Sequence, residues 1–169
     1  MKTDYMDSLL MHSPYQTHKE TMEAWRELER FQREGAIRRL GISNCYDAKA
    51  FKQLYADASV KPTVLQNRFY KDSGYDVELR KFCRDNGVTY QSFWTLTANP
   101  DILKSAPVQN AARRLGATAP QVFFRYVSGL GGFVPLTGTK DEQHMREDLA
   151  ALALELTPEE VQGIDSMIR

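Results

Sequence analysis

Long apolar runs, an excess of charge of one sign and abundant cysteine are all missing from this sequence. No apolar run approaches the ~20 residues of a membrane-spanning helix, so no membrane partner is expected. Lysine plus arginine and aspartate plus glutamate number 22 each. That balance offers no basic field for nucleic acid or acidic lipid. The two cysteines, Cys45 and Cys83, lie outside any C-x-x-C pattern, so neither a disulfide framework nor a zinc site is expected. Three histidines without carboxylates at ligand spacing imply no metal site. The amino-terminal MKTDYMD has no apolar h-region and does not read as a signal peptide. Scarce cysteine fits a reducing, cytoplasmic setting. There is no low-complexity tract, linker or short internal repeat.

What is present is an alternation of two periods in a chain of 169 residues, enough for one domain with a core. Ser8 to Met11 reads as a buried strand. Thr17-x-x-Glu20 has the form of a capping box. It opens a helix in which Met22, Trp25, Leu28 and Phe31 recur at helical spacing, and Gly35 ends it. Ile37 to Ile42 reads as a second strand, closing in Ser43-Asn44. Asp47 caps a helix through Ala58. Pro62 precedes a third strand, TVLQNRF. Val77, Leu79, Phe82 and Cys83 mark a helix stopped by Gly87. Residues 88–96 form a fourth strand, helices follow over about 105–115 and 118–128, and 133–138 is a fifth strand. Asp141 starts a helix to about Leu152, and Thr157-Pro158 opens the last one. GLGGF, residues 129–133, looks like a phosphate cradle only in isolation; it precedes a strand and reads as a helix-ending turn.

Strands alternating with helices predict an α/β fold of parallel βαβ units. Function in such folds gathers beyond the carboxyl ends of the strands. The residues there are His12, Ser43-Asn44, Gln66-Asn67, Ser92 to Thr95, and Thr137. As a set they point to one shared site, although each singly is as well explained as a turn or cap residue.

Several stretches, in order, resemble the aldo-keto reductase family of NADPH-dependent (β/α)₈-barrel enzymes. TDYMDSLLMHSP is similar to the fourth-strand signature, with Asp4, Tyr5, Asp7, His12 and Pro14 in place. REGAIRRLGISN is similar to the fifth-strand signature, LQNRFY to the sixth-strand element, TAPQVFFRY and VPLTGT to the segments around the eighth strand, and LTPEEVQGID to the C-terminal helix. The implied fold is a partial TIM-type barrel, about five parallel strands with flanking helices, lacking the first three strands. His12 matches the catalytic histidine. Ser43, Asn44 and Gln66 match the residues that bind the nicotinamide carboxamide, and Phe93 the aromatic under its ring. Tyr15, Asn67, Phe69 and Trp94 are the candidate substrate-pocket residues. Thr137, Gly138, Thr139, Lys140, Glu147 and Asp148 match the nucleotide-binding segment, with Lys140 or Arg146 as a charge for the 2′-phosphate. Leu136 stands where many members have lysine, and Asp148 replaces a common asparagine, so the implied NADPH binding is weakened.

The matched part does not include the family's aspartate, proton-donating tyrosine and lysine. This leads to an expectation of a small-molecule enzyme repurposed for non-redox dehydration, isomerisation or cyclisation, with His12 as acid or base. The alternative is an NADPH-dependent carbonyl reductase completed by oligomerisation, and the third a non-catalytic partner or remnant. Five strands cannot close as eight do, and exposed edges are unfavourable in water. The chain is therefore expected to form a homodimer or other oligomer. Light scattering on the purified chain should give at least twice the monomer mass; a stable, well-folded monomer overturns this expectation.

Overall fold

Three helices begin at an exchange of hydrogen bonds that the sequence spells out. At the first, the Thr17 hydroxyl accepts from the Glu20 N–H at 3.2 Å while the Glu20 carboxylate accepts from the Thr17 N–H at 3.0 Å. The same box recurs at Thr118/Gln121 and Thr157/Glu160. Each satisfies backbone donors that a helix leaves open. Asp47 and Asp141 cap two more helices through their carboxylates. Amide N–H groups of His144 and Gln143 hold the Asp141 carboxyl below its usual range.

The computed structural model describes residues 3–168. Its elements run β1 (Met6–Met11), α1 (His18–Arg33), β2 (Ile37–Ser43), α2 (Ala48–Asp57), β3 (Val64–Arg68), α3 (Val77–Asp85), β4 (Thr89–Phe93), α4 (Pro100–Lys104), α5 (Ala106–Leu115), α6 (Ala119–Ser128), β5 (Phe133–Pro135), α7 (Glu142–Ala150) and α8 (Pro158–Asp165). Short 3₁₀ turns occupy Lys71–Asp76 and Ala151–Ala153. Five parallel strands lie in the order β1-β2-β3-β4-β5, so chain neighbours are sheet neighbours. The described residues fall into two compact units, one of residues 3–67 and 78–91, the other of 68–77 and 92–168.

In the first unit, Met6 pairs with Ile37 and Met11 with Ile42, while Gly41, Ile42 and Ser43 pair with Val64, Leu65 and Gln66. Trp25, Leu40, Ile42, Phe51, Leu65 and Leu79 are buried in its core. The buried Glu29 carboxylate accepts from the Ser59 and Val60 N–H groups at 2.8 and 3.0 Å, and the Trp25 indole donates to the Val60 carbonyl at 3.1 Å. Together they hold the turn between α2 and β3 against α1.

In the second unit, Phe69 packs against Tyr75 and Phe133, each with ring centroids 5.2 Å apart. Arg114 of α5 grips both carboxylate oxygens of Glu160 on α8 at 2.7 Å and donates to the Glu155 carbonyl at 2.8 Å. That guanidinium holds the Glu160 carboxyl below its usual range. Val134, Leu149 and Leu152 are exposed around a small apolar cavity of about 360 Å³.

Several boundaries differ from the sequence expectation. The fourth strand stops at Phe93 because Trp94 turns to a φ of 57°. The fifth stops at Pro135, where Leu136 makes its ladder bond to the Ser92 carbonyl. The short helix α4 and the turn at Lys71–Asp76 were not anticipated. Pro100 starts α4, and Ser105 breaks it from α5 with an extended backbone. In the turn, Gly74, Tyr75 and Asp76 all take positive φ, which no periodicity announces.

Gly41 is the most closely approached glycine of the first unit. A Cβ placed there would lie 2.7 Å from the Val64 carbonyl oxygen and 2.8 Å from the Val64 Cβ. Gly41→Ala should destabilise the chain by about 1–3 kcal/mol through overpacking, read as a lower urea midpoint. An unchanged midpoint would mean that β2 and β3 can separate at no cost.

Candidate functional site

Within the first unit, the carboxyl ends of the strands carry a connected group of polar side chains. β2 ends in Ser43 and Asn44, the latter at a φ of 51°, a left-handed conformation that asparagine tolerates better than most residues. That turn sends the Asn44 amide back to donate to the His12 carbonyl at 2.8 Å and to the Ser43 hydroxyl at 3.2 Å. Ser43 is buried and donates to the Gln66 carbonyl at 2.7 Å. The Gln66 side chain donates to the Gln91 Oε1 at 2.9 Å. Thus β1, β2, β3 and β4 are linked through five residues.

Not every capacity in this group is used. Among the described residues, Gln66 Oε1 and the second Gln66 N–H have no partner, and Asn44 Oδ1 has only a long 3.5 Å contact from the Tyr46 hydroxyl. His12 is exposed, and its ring has no hydrogen-bond partner among the described residues. It is therefore not spent on a neighbouring backbone group, the ordinary fate of a strand-end histidine.

The second unit holds an open cleft of about 810 Å³. One wall is the stretch Phe93 to Thr97, a second is the segment Leu136 to Thr139 after β5, and α6 and α7 complete it through Phe124, His144, Glu147 and Asp148. The buried hydroxyls of Ser92 and Thr95 lie 2.7 Å apart and tighten the turn after β4. Trp94 lines the cleft and is 55% exposed. The Arg68 guanidinium lies 4.2 Å from its centroid, a cation–π contact that braces the strained residue. Thr137 donates to Asp148 at 2.5 Å, tying the segment after β5 to α7.

Most of the residues expected from the sequence fall in one of these two places. His12, Ser43, Asn44 and Gln66 share the strand-end group, and Phe93, Trp94, Thr137, Gly138, Thr139, Glu147 and Asp148 line the cleft. Asn67 and Phe69 do not stand on a substrate wall as expected. Asn67 is fully buried and clamps the Cys45 backbone, accepting from its N–H at 3.0 Å and donating to its carbonyl at 2.9 Å. Phe69 is fully buried among Tyr75, Phe123 and Phe133. Tyr15 is exposed, with its backbone N–H bonded to the Thr21 hydroxyl. Lys140 is exposed and outside the cleft lining, and Arg146 is paired with Glu142 on its own helix. Two residues were missed. Gln91 is the partner of Gln66, and its long amide side chain within β4 was the available signal. His144 is an exposed helix residue, as the sequence suggested, and it also lines the cleft.

The family model for the aldo/keto reductase family matches residues 1–169, all of the chain. The chain belongs to the aldo/keto reductase family. This aldo/keto reductase chain is 30% identical to an uncharacterized oxidoreductase of Saccharomyces cerevisiae, covering 95% of this chain and 56% of that protein. It is 27% identical to the glyoxal reductase of Bacillus subtilis, covering 99% of this chain and 58% of that protein. Among solved structures it matches a thermostable aldo-keto reductase held in complex with the inhibitor epalrestat. The TM-score there is 0.83 at 26% identity, over 98% of this chain and 61% of that one. The chain thus spans 56–58% of the length of these two curated relatives.

Asn44 lends itself to a direct check. Asn44→Gly removes its two side-chain hydrogen bonds and should cost about 1 kcal/mol in urea denaturation. Asn44→Ala should cost ~1 kcal/mol more, because alanine resists the left-handed backbone. Equal stability of the two variants would remove backbone strain from the account.

Proposed function

We propose that this chain supplies the nucleotide-binding and carbonyl-orienting parts of a nicotinamide-dependent carbonyl reductase. The observation that carries this reading is the unspent hydrogen-bonding capacity at the strand ends of the first unit. A carboxamide needs acceptors for its N–H groups and a donor for its oxygen. Gln66 Oε1 and Asn44 Oδ1 supply the first, and the second Gln66 N–H supplies the other. The residues present therefore fit the group. In the second unit, the cleft beneath Phe93 and Trp94 offers aromatic surface, and Thr137 and Thr139 offer hydroxyl donors.

A bound dihydronicotinamide would supply a hydride to a carbonyl carbon. The task left to the protein is to orient the carbonyl and stabilise the charge that develops on its oxygen. His12 suits that task. Its ring is exposed at the end of β1, with neither nitrogen bonded among the described residues, while Asn44 fixes the backbone beneath it. An imidazole can donate a hydrogen bond or a proton near neutral pH. The relatives named above are an oxidoreductase and reductases. They favour this reading over the non-redox chemistry expected from the sequence, for which no observation speaks.

Nucleotide binding separates the two. A nicotinamide dinucleotide at 100-fold its Kd should stabilise the chain by about 2.7 kcal/mol, read as a rise in melting temperature. No rise with either nucleotide overturns the proposal. With glyoxal and other small carbonyl compounds as substrates, His12→Ala should lower kcat about 100-fold while leaving nucleotide affinity intact. Loss of affinity in that variant would instead make His12 a binding residue.

A further inference from the structure

The geometry points to NADH rather than NADPH as the nucleotide this chain takes, with Asp148 and Glu147 setting the preference; this rests on the reading of the second unit's cleft as a nucleotide site. The two nucleotides differ by one group, a 2′-phosphate on the adenosine ribose in place of a hydroxyl. A phosphate monoester carries about −1.5 to −2 charges near pH 7. It needs a cation or a dense set of donors. A ribose diol instead donates two O–H groups, and a carboxylate accepts both.

The cleft offers the second kind of partner. Two carboxylates line it, those of Glu147 and Asp148, and no lysine or arginine is among its lining residues. Both acids are half-buried, where charges are screened less than in open water. Their positions are fixed. Asp148 accepts from Thr137 through one oxygen at 2.5 Å, leaving its other oxygen for a ligand. Glu147 accepts from Gln143 at 2.8 Å, and its backbone carbonyl accepts from the Gln121 amide of α6 at 3.0 Å. The nearby cations are engaged or stand outside the lining, and the Arg68 guanidinium lies over the Trp94 ring, 4.2 Å from its centroid. Arg146 is paired with Glu142 one turn back on α7. Lys140 follows the lining residue Thr139 but is itself exposed outside the lining. His144 is the one lining side chain able to carry positive charge, and Asp141 at the start of the same helix faces it.

The test titrates the whole chain with NADH and with NADPH, following melting temperature and nucleotide fluorescence. 5′-AMP and adenosine 2′,5′-bisphosphate serve as probes of this cleft alone. NADH should bind at least tenfold more tightly than NADPH, and the two adenosine probes should show the same order. Added salt should narrow the gap by screening the repulsion. Asp148→Asn keeps an oxygen for Thr137 while removing the charge, and Glu147→Gln does likewise for Gln143. Each should raise NADPH affinity more than NADH affinity, with an unchanged far-ultraviolet circular dichroism spectrum. NADPH binding as tightly as NADH, or more so, overturns the preference and leaves the nucleotide site standing. A ratio unmoved in both variants overturns the role of the two acids. Binding of neither dinucleotide overturns this inference together with the proposal on which it rests.

Discussion

The close approach of β2 to β3 at Gly41 sets what the first unit can do. With only a hydrogen where a side chain would strike the Val64 carbonyl, the two backbones come together in one register. Two residues further along, that register sets Ser43 opposite Gln66. A parallel ladder slipped by one residue would turn each side chain to the other face of the sheet. Ser43 would then lose the Gln66 carbonyl, Asn44 would lose Ser43, and the backbone under His12 would lose its donor. A packing contact in the strand interior thus governs the hydrogen-bonded group at the strand end.

Left-handed residues follow two strands, and each stands at a candidate site position. Asn44 ends β2 with a φ of 51° and Trp94 follows β4 with a φ of 57°. Asparagine tolerates this conformation through local hydrogen bonds; tryptophan has no such recourse. At Trp94 the offset comes from outside the residue, from the guanidinium of Arg68 over the ring. Strain held in place by its surroundings is common where a side chain must be presented to a ligand.

The parts of the fold that were legible in the sequence are those decided locally. Thr17-x-x-Glu20 and Thr157-Pro158 announce helix starts because a cap needs only four residues. Alternation of strand and helix, and the polar residue at each strand end, could be read for the same reason. Asn67 and Phe69 were misread because position at a strand end does not say which face a side chain takes. Their neighbours settle it, the Cys45 backbone for one and three aromatic rings for the other. Gln91 and His144 matter through partners distant in the chain, which no local pattern reports. The charge of the cleft was half visible. Asp148 and Leu136 stood out in the sequence, and the four-residue spacing of Glu142 and Arg146 was there to be read, but which side chains line the cleft shows only in three dimensions.

The two tryptophans of the sequence are divided between the units and differ in surroundings. Trp25 is wholly buried in the first, while Trp94 is more than half exposed in the second. A buried indole emits toward the blue and an exposed one toward the red, so the chain's own fluorescence carries two separable signals. One follows the integrity of the first unit's core. The other sits on the wall of the cleft, where a stacked ligand or a loosened Arg68 would quench or shift it with no label added.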